Sequence, residues 1–105
     1  MYRATTPRHT YKLPIQASTC KVIQVTYTQG NTEIVKQSDG ATLPDGMTYD
    51  ENKVIIRLTQ EETLRFKAKA PAFVQVRALT YDGDALASRS FKIDVYEVQN
   101  KEILT

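Results

Sequence analysis

The stretch Leu64–Thr80, LRFKAKAPAFVQVRALT, decides how this chain reads. In its first half Leu64, Phe66 and Ala68 alternate with Arg65, Lys67 and Lys69. In its second half Val74, Val76 and Ala78 alternate with Gln75 and Arg77. Successive side chains of a strand point to opposite faces, so a period of two sorts apolar from charged residues, whereas a helix would scatter the same charges. The spacing predicts two strands, Leu64–Lys69 and Phe73–Thr80, parted at Ala70-Pro71-Ala72.

The pattern extends in both directions. Lys53–Thr59 sets Val54, Ile56 and Leu58 inward and Arg57 outward, and Ser90–Val98 sets Phe91, Ile93 and Val95 against Lys92 and Asp94. Lys21–Thr28 places Ile23, Val25 and Tyr27 opposite Gln24 and Thr26, while Thr32–Ser38 and His9–Ile15 are shorter strand candidates. Turn chemistry separates these runs. Gln29-Gly30-Asn31 suits a tight hairpin, Asp39-Gly40 and Asp45-Gly46 bracket Pro44 in an irregular connection, and Asp82-Gly83 joins the last two long strands. Gln60–Thr63 fits one helical turn where the chain crosses between sheets. About seven strands at spacings of about ten residues predict an all-β fold, a single antiparallel β-sandwich. An immunoglobulin-like strand order is one arrangement that fits, since alternation fixes faces and not topology. The domain takes in residues 1–105, with residues 1–7 as a short N-terminal arm and 99–105 as a C-terminal tail.

The totals bound the function. A chain of 105 residues suits one domain. Hydrophobic residues at 41% and charged residues at 25% are ordinary for a globular protein and unlike disorder. A net charge of +2, from 14 basic and 12 acidic residues, is too balanced to imply nucleic acid or an anionic membrane. Cys20 is the only cysteine, so neither a disulfide framework nor a thiolate metal cage is available. No apolar run reaches the roughly 18–20 residues of a membrane-spanning helix, and Met1–Pro7 lacks the apolar core of a signal peptide.

The candidate chemistry resolves mostly into structure. In TYDGDAL, Thr80–Leu86, two carboxylates flank a glycine. A calcium loop needs about six to eight oxygen ligands closed by a glutamate, and the next acidic residue after Asp84 is Asp94, inside a strand. The stretch is therefore read as a turn. Glu61 and Glu62 are adjacent, which suits solvation or capping of a helical turn better than two catalytic carboxylates facing each other across a bond. His9, the one histidine, is expected at a surface or edge, and Cys20 is expected to be a small buried residue. No catalytic, cofactor-binding or metal-ligating residues are expected, and no cofactor. One feature invites a partner. Arg57, Arg65, Lys67, Lys69 and Arg77 are all expected to point outward on three consecutive strands, and if those strands share a sheet they form one cationic interaction face. Solvated strands also carry Lys and Arg simply to stay soluble and blunt their edges. Aromatic residues do not interleave these positions, so a base-stacking platform is missing and nucleic acid is not the expected partner.

Four stretches together carry a resemblance: TTPRHTYKLP (Thr5–Pro14), IQVTYTQ (Ile23–Gln29), LTQEETLRF (Leu58–Phe66) and VQVRALTYDGDALAS (Val74–Ser88). They resemble a family of small uncharacterised proteins of about this length from gut Firmicutes, associated with phage and prophage structural modules. The resemblance implies a non-enzymatic virion component of the tail or baseplate region, partnered by other virion subunits or by copies of itself. It further implies residence in the bacterial cytoplasm before assembly and in the virion afterwards. In such a role the arm before the first strand, and the tail bearing Ile103 and Leu104, would lie along neighbours. The alternative is a small surface- or carbohydrate-binding β-sandwich, for which Tyr49 and Tyr81 are the only aromatic loop candidates.

Overall fold

The computed structural model describes residues 1–105 as two antiparallel sheets packed face to face. The strands are β1 (Arg8–Lys12), β2 (Cys20–Gln29), β3 (Thr32–Gln37), β4 (Met47–Asp50), β5 (Lys53–Arg57), β6 (Ala72–Thr80), β7 (Ala85–Ala87) and β8 (Phe91–Ile93). A short helix, α1 (Gln60–Leu64), links β5 to β6. The smaller sheet has the order β1-β5-β4, and the larger has β3-β2-β6-β7, with β8 also paired to β6. The all-β sandwich read from the alternation is therefore the fold. An immunoglobulin order would put the second strand in the sheet of the first, fourth and fifth. Here β2 lies in the other sheet, between β3 and β6.

The central pair β2–β6 shows why these residues make strands. Ile23, Val25 and Tyr27 pair with Ala78, Val76 and Val74, and all six are buried. Opposite them from the smaller sheet come Val54, Ile56 and Met47, also buried, so both inner faces interdigitate in one core. The strands β7 and β8 act as one edge strand broken by a bulge. Their register against β6 advances by one residue between the Arg77↔Ala87 and Val74↔Phe91 pairs. Ser88 fills the break. Its N–H donates to the Val76 carbonyl at 2.8 Å, and its Oγ accepts the Val76 N–H at 2.9 Å.

Three expectations are corrected. The long strand expected over Ser90–Val98 is only β8, Phe91–Ile93, and Asp82-Gly83 leads into the separate short strand β7. Leu64–Lys69 is not a strand, although it carries the clearest alternation in the sequence. Its alternation of burial is present all the same: Phe66 is fully buried, Leu64 and Ala68 are partly buried, and Arg65, Lys67 and Lys69 are exposed. The chain here crosses from the small sheet to the large one and seats Phe66 beside Tyr27. Its backbone bonds go to α1 and to a side chain instead of a ladder. Arg65 N–H donates to Glu62 O, Phe66 N–H to Thr63 O, and Lys67 N–H to Gln29 Oε1 at 2.6 Å. The last correction is β4, which lies between the Asp45-Gly46 turn and Lys53, where no strand was expected. It forms a hairpin with β5 through Glu51-Asn52, with Glu51 at φ +54. Neither turn residue is glycine, so the usual hairpin signature is missing from the sequence.

The helical turn at Gln60 forms as expected, and its start is a capping box. Glu62 N–H donates to Thr59 Oγ1 at 3.1 Å, and Thr59 N–H donates to Glu62 Oε1 at 2.9 Å. The terminal segments lie on the body. Met1–Arg3 pairs in parallel with Tyr96, through Arg3 N–H to Tyr96 O and Tyr96 N–H to Met1 O. Arg3 also holds Glu97 at 2.7 Å and donates to the Leu64 carbonyl. The Gln60 amide exchanges two hydrogen bonds with the Leu104 backbone. No helix is long and apolar enough to cross a membrane.

Candidate interaction surface

The two long sides of the sandwich differ. On the β3/β4 side the connection from β3 to β4 and several side chains close the gap between sheets. Lys36 pairs with Glu62 at 2.8 Å and donates to Asp45 O, and Arg65 donates to the Glu33 carbonyl at 3.0 Å. Burial works against ionisation of Glu62, but the hydrogen bonds from Lys36 and Thr59 outweigh it and hold its carboxyl below the usual range.

On the other side the edge strands are β1 and β7–β8. Strand β1 pairs only with β5. Leu58 N–H donates to Pro7 O and Leu13 N–H donates to Asn52 O, which fixes the phase of the ladder. The backbone groups of His9 and Tyr11 face β5, and those of Arg8, Thr10 and Lys12 face outward with no partner strand. Beside this edge runs a groove of about 610 Å³. Its apolar lining includes Tyr11, Leu13, Val74, Val76, Phe91 and Ile93. Arg8 and Lys12 stand at it as cations, neither in an ion pair, and no carboxylate lines it.

Behind the groove sits a polar cluster that the alternation did not reveal. His9 lies on an edge strand, as expected, but its ring turns inward. Its Nδ1 is 2.8 Å from the Tyr27 hydroxyl, which is 2.9 Å from the Tyr11 hydroxyl. Burial holds His9 below its ordinary pKa and so favours the neutral ring, whose Nδ1 shares one hydrogen bond with the Tyr27 hydroxyl, while Tyr27 and Tyr11 share another. Burial also raises both phenols. Tyr27 is completely buried, so its hydroxyl needs these partners, and they tie β1 to β2 across the sandwich. The period-two phase of His9 and Tyr11 with Leu13 was the available signal for an inward histidine. Ser88 shares the groove with His9, but its hydroxyl is held by Val76 N–H and Arg89 O, and no hydrogen bond joins the two side chains.

The five cations of the anticipated interaction face are all exposed, yet no sheet gathers them. Arg57 is on β5 of the small sheet, and Arg77 is on β6 of the large one, so their side chains leave the sandwich from opposite faces. Arg65 is drawn to Glu33 at the β3 edge. Lys67 follows it in the crossing segment, and Lys69 sits in a turn at φ +66 with its N–H on Val95 O. The shared-sheet condition fails because Leu64–Lys69 never joins a ladder.

TYDGDAL is the β6–β7 turn, with Gly83 at φ +91 and its N–H on Thr80 O. Cys20 is buried and unpaired, with burial raising its thiol pKa. Tyr49 packs against the core, whereas Tyr81 is exposed. One exposed aromatic pair, Tyr2 and Tyr96, has ring centroids 5.2 Å apart and planes tilted by 42°. No protein-family model matches the chain, and no curated protein matches it in sequence.

Proposed function

We propose that this chain is a non-enzymatic structural and interaction protein, a β-sandwich subunit of a phage or prophage particle. The observation that carries the reading is the open side of the sandwich, where the unpaired β1 edge runs beside an apolar groove. Unpaired strand edges are a recurrent means of protein–protein attachment. The sequence resemblance to phage structural modules supplies the setting. The polar cluster near the groove is engaged in tying the sheets together, and it offers no nucleophile paired with a base.

A carbohydrate-binding role is the weaker reading. Of its two loop aromatics Tyr49 is committed to the core, and the tilted Tyr2–Tyr96 pair presents no flat stacking platform. The test is to induce a lysogen carrying the gene and purify its particles. The chain should copurify at a fixed ratio to a capsid or tail protein. Its absence from purified particles overturns the virion assignment.

A further inference from the structure

We propose that β1 is the acceptor edge for an extended peptide strand of a partner protein, one whose inward residues are apolar and whose outward residues are acidic. This deepens the interaction role given above and rests on it. Arg8, Thr10 and Lys12 each turn a backbone N–H and C=O to the free edge. A strand laid there would satisfy these groups and extend the small sheet by one strand, over the part of the large sheet that now faces the groove.

The chemistry of the occupant follows from the pleat. Residues of an added strand that share the face of His9, Tyr11 and Leu13 point into the groove toward Val76, Phe91 and Ile93, so they should be apolar. Residues on the other face lie beside the exposed side chains of Arg8 and Lys12. Both cations lack an ion-pair partner, and their β5 neighbours on that face are the cations Arg57 and Lys53, so Asp or Glu is the complementary choice.

Charge also separates the possible occupants. Two copies of β1 paired antiparallel about Thr10 would set Arg8 against Lys12 at both ends, and like charges directly opposite are destabilising. The C-terminal tail of a second copy, with Glu102, Ile103 and Leu104, is already engaged, since the Leu104 N–H and C=O bond the Gln60 amide of its own chain. A separate acidic and apolar strand remains.

The test is selection of a random peptide library on the immobilised full chain, followed by solution affinities of the enriched peptides. Enriched sequences should alternate apolar residues with Asp or Glu, and their binding should shift the backbone amide resonances of Arg8, Thr10 and Lys12. Thr10→Pro removes an outward N–H and no β5 bond, so it should weaken binding about tenfold or more. The double variant Arg8→Glu, Lys12→Glu should select Lys or Arg in place of the acids. Peptides N-methylated at alternate residues give a test that leaves the protein intact: methylation of the β1-facing amides should abolish binding, and methylation of the others should not. The proposal is overturned by enrichment without alternation, by no enrichment, by resonance shifts away from β1, or by equal binding of both methylated series. Peptide binding at β1 by a chain absent from particles would leave this inference standing and remove the virion assignment. A chain incorporated into particles that enriches no such peptide would do the reverse.

Discussion

Phe66→Ala is the sharpest test of how the crossing segment is held. Phe66 is completely buried beside Tyr27, with ring centroids 6.5 Å apart. Burying an aromatic side chain removes about 150–250 Å² from water, worth about 4–6 kcal/mol at 25 cal/mol per Å² as an upper bound. Measured Phe→Ala losses run at about 3–5 kcal/mol, with the larger values at sites that cannot collapse. This site is pinned. The Gln29 side chain donates to the carbonyls of Lys67 and Ala70 at 2.8 and 2.9 Å and accepts the Lys67 N–H at 2.6 Å. On the other flank, Phe66 N–H is tied to Thr63 O. The cavity should therefore stay open, and the loss should be about 4 kcal/mol. Urea unfolding reads it directly, as a shift of about 2 M in midpoint if the slope is ~2 kcal/mol/M. Gln29→Ala frees the segment, so Phe66→Ala in that background should cost about 1 kcal/mol less. A loss below about 1.5 kcal/mol, or strict additivity of the two changes, would refute the argument that the segment is clamped.

Three further outcomes are expected. Gly46 lies at φ +81, where an added Cβ would collide with the Arg57 carbonyl oxygen, whereas Gly30 at φ +57 has open space around it. In thermal unfolding Gly46→Ala should therefore lower Tm more than Gly30→Ala, whose cost is about 1–2 kcal/mol from backbone strain alone. Thr59→Ala breaks the capping box that also orients Glu62 toward Lys36, and should cost about 0.5–2 kcal/mol in chemical denaturation. Stability should fall with acid in two stages. Burial depresses the His9 pKa in the folded state, so the unfolded chain takes up that proton first, and stability falls as pH drops below the ordinary histidine value of 6.5. Glu62, also depressed in the fold, adds a second fall in the carboxylate range by the same sign. His9→Gln keeps a hydrogen-bonding partner for Tyr27 and should erase the first stage while leaving the second, as read by Tm against pH.

The sequence by itself determined which faces of most strands are buried, because side-chain direction on a strand has a period of two whatever the strand pairs with. It therefore located the inward rows of β2, β5 and β6, the Asp-Gly and Gly-Asn reversals, the single helical turn at Gln60 and the burial of Phe66 and Cys20. Pairing is a different matter, since the ladder partner of a residue is remote in sequence. Leu64–Lys69 alternates because one side of a crossing segment faces the core, and only its surroundings show that Gln29 and α1 take the backbone bonds a strand would have filled. The same limit hid β4, whose turn at Glu51-Asn52 has no glycine and whose partner and clasp come from β5 and from the Leu13 and Ala17 amides. It also scattered the five cations, which would have met only on a shared sheet. The unpaired β1 edge, its groove and the inward His9–Tyr27–Tyr11 link were likewise decided by tertiary structure, because which strand ends a sheet depends on every other pairing in the molecule.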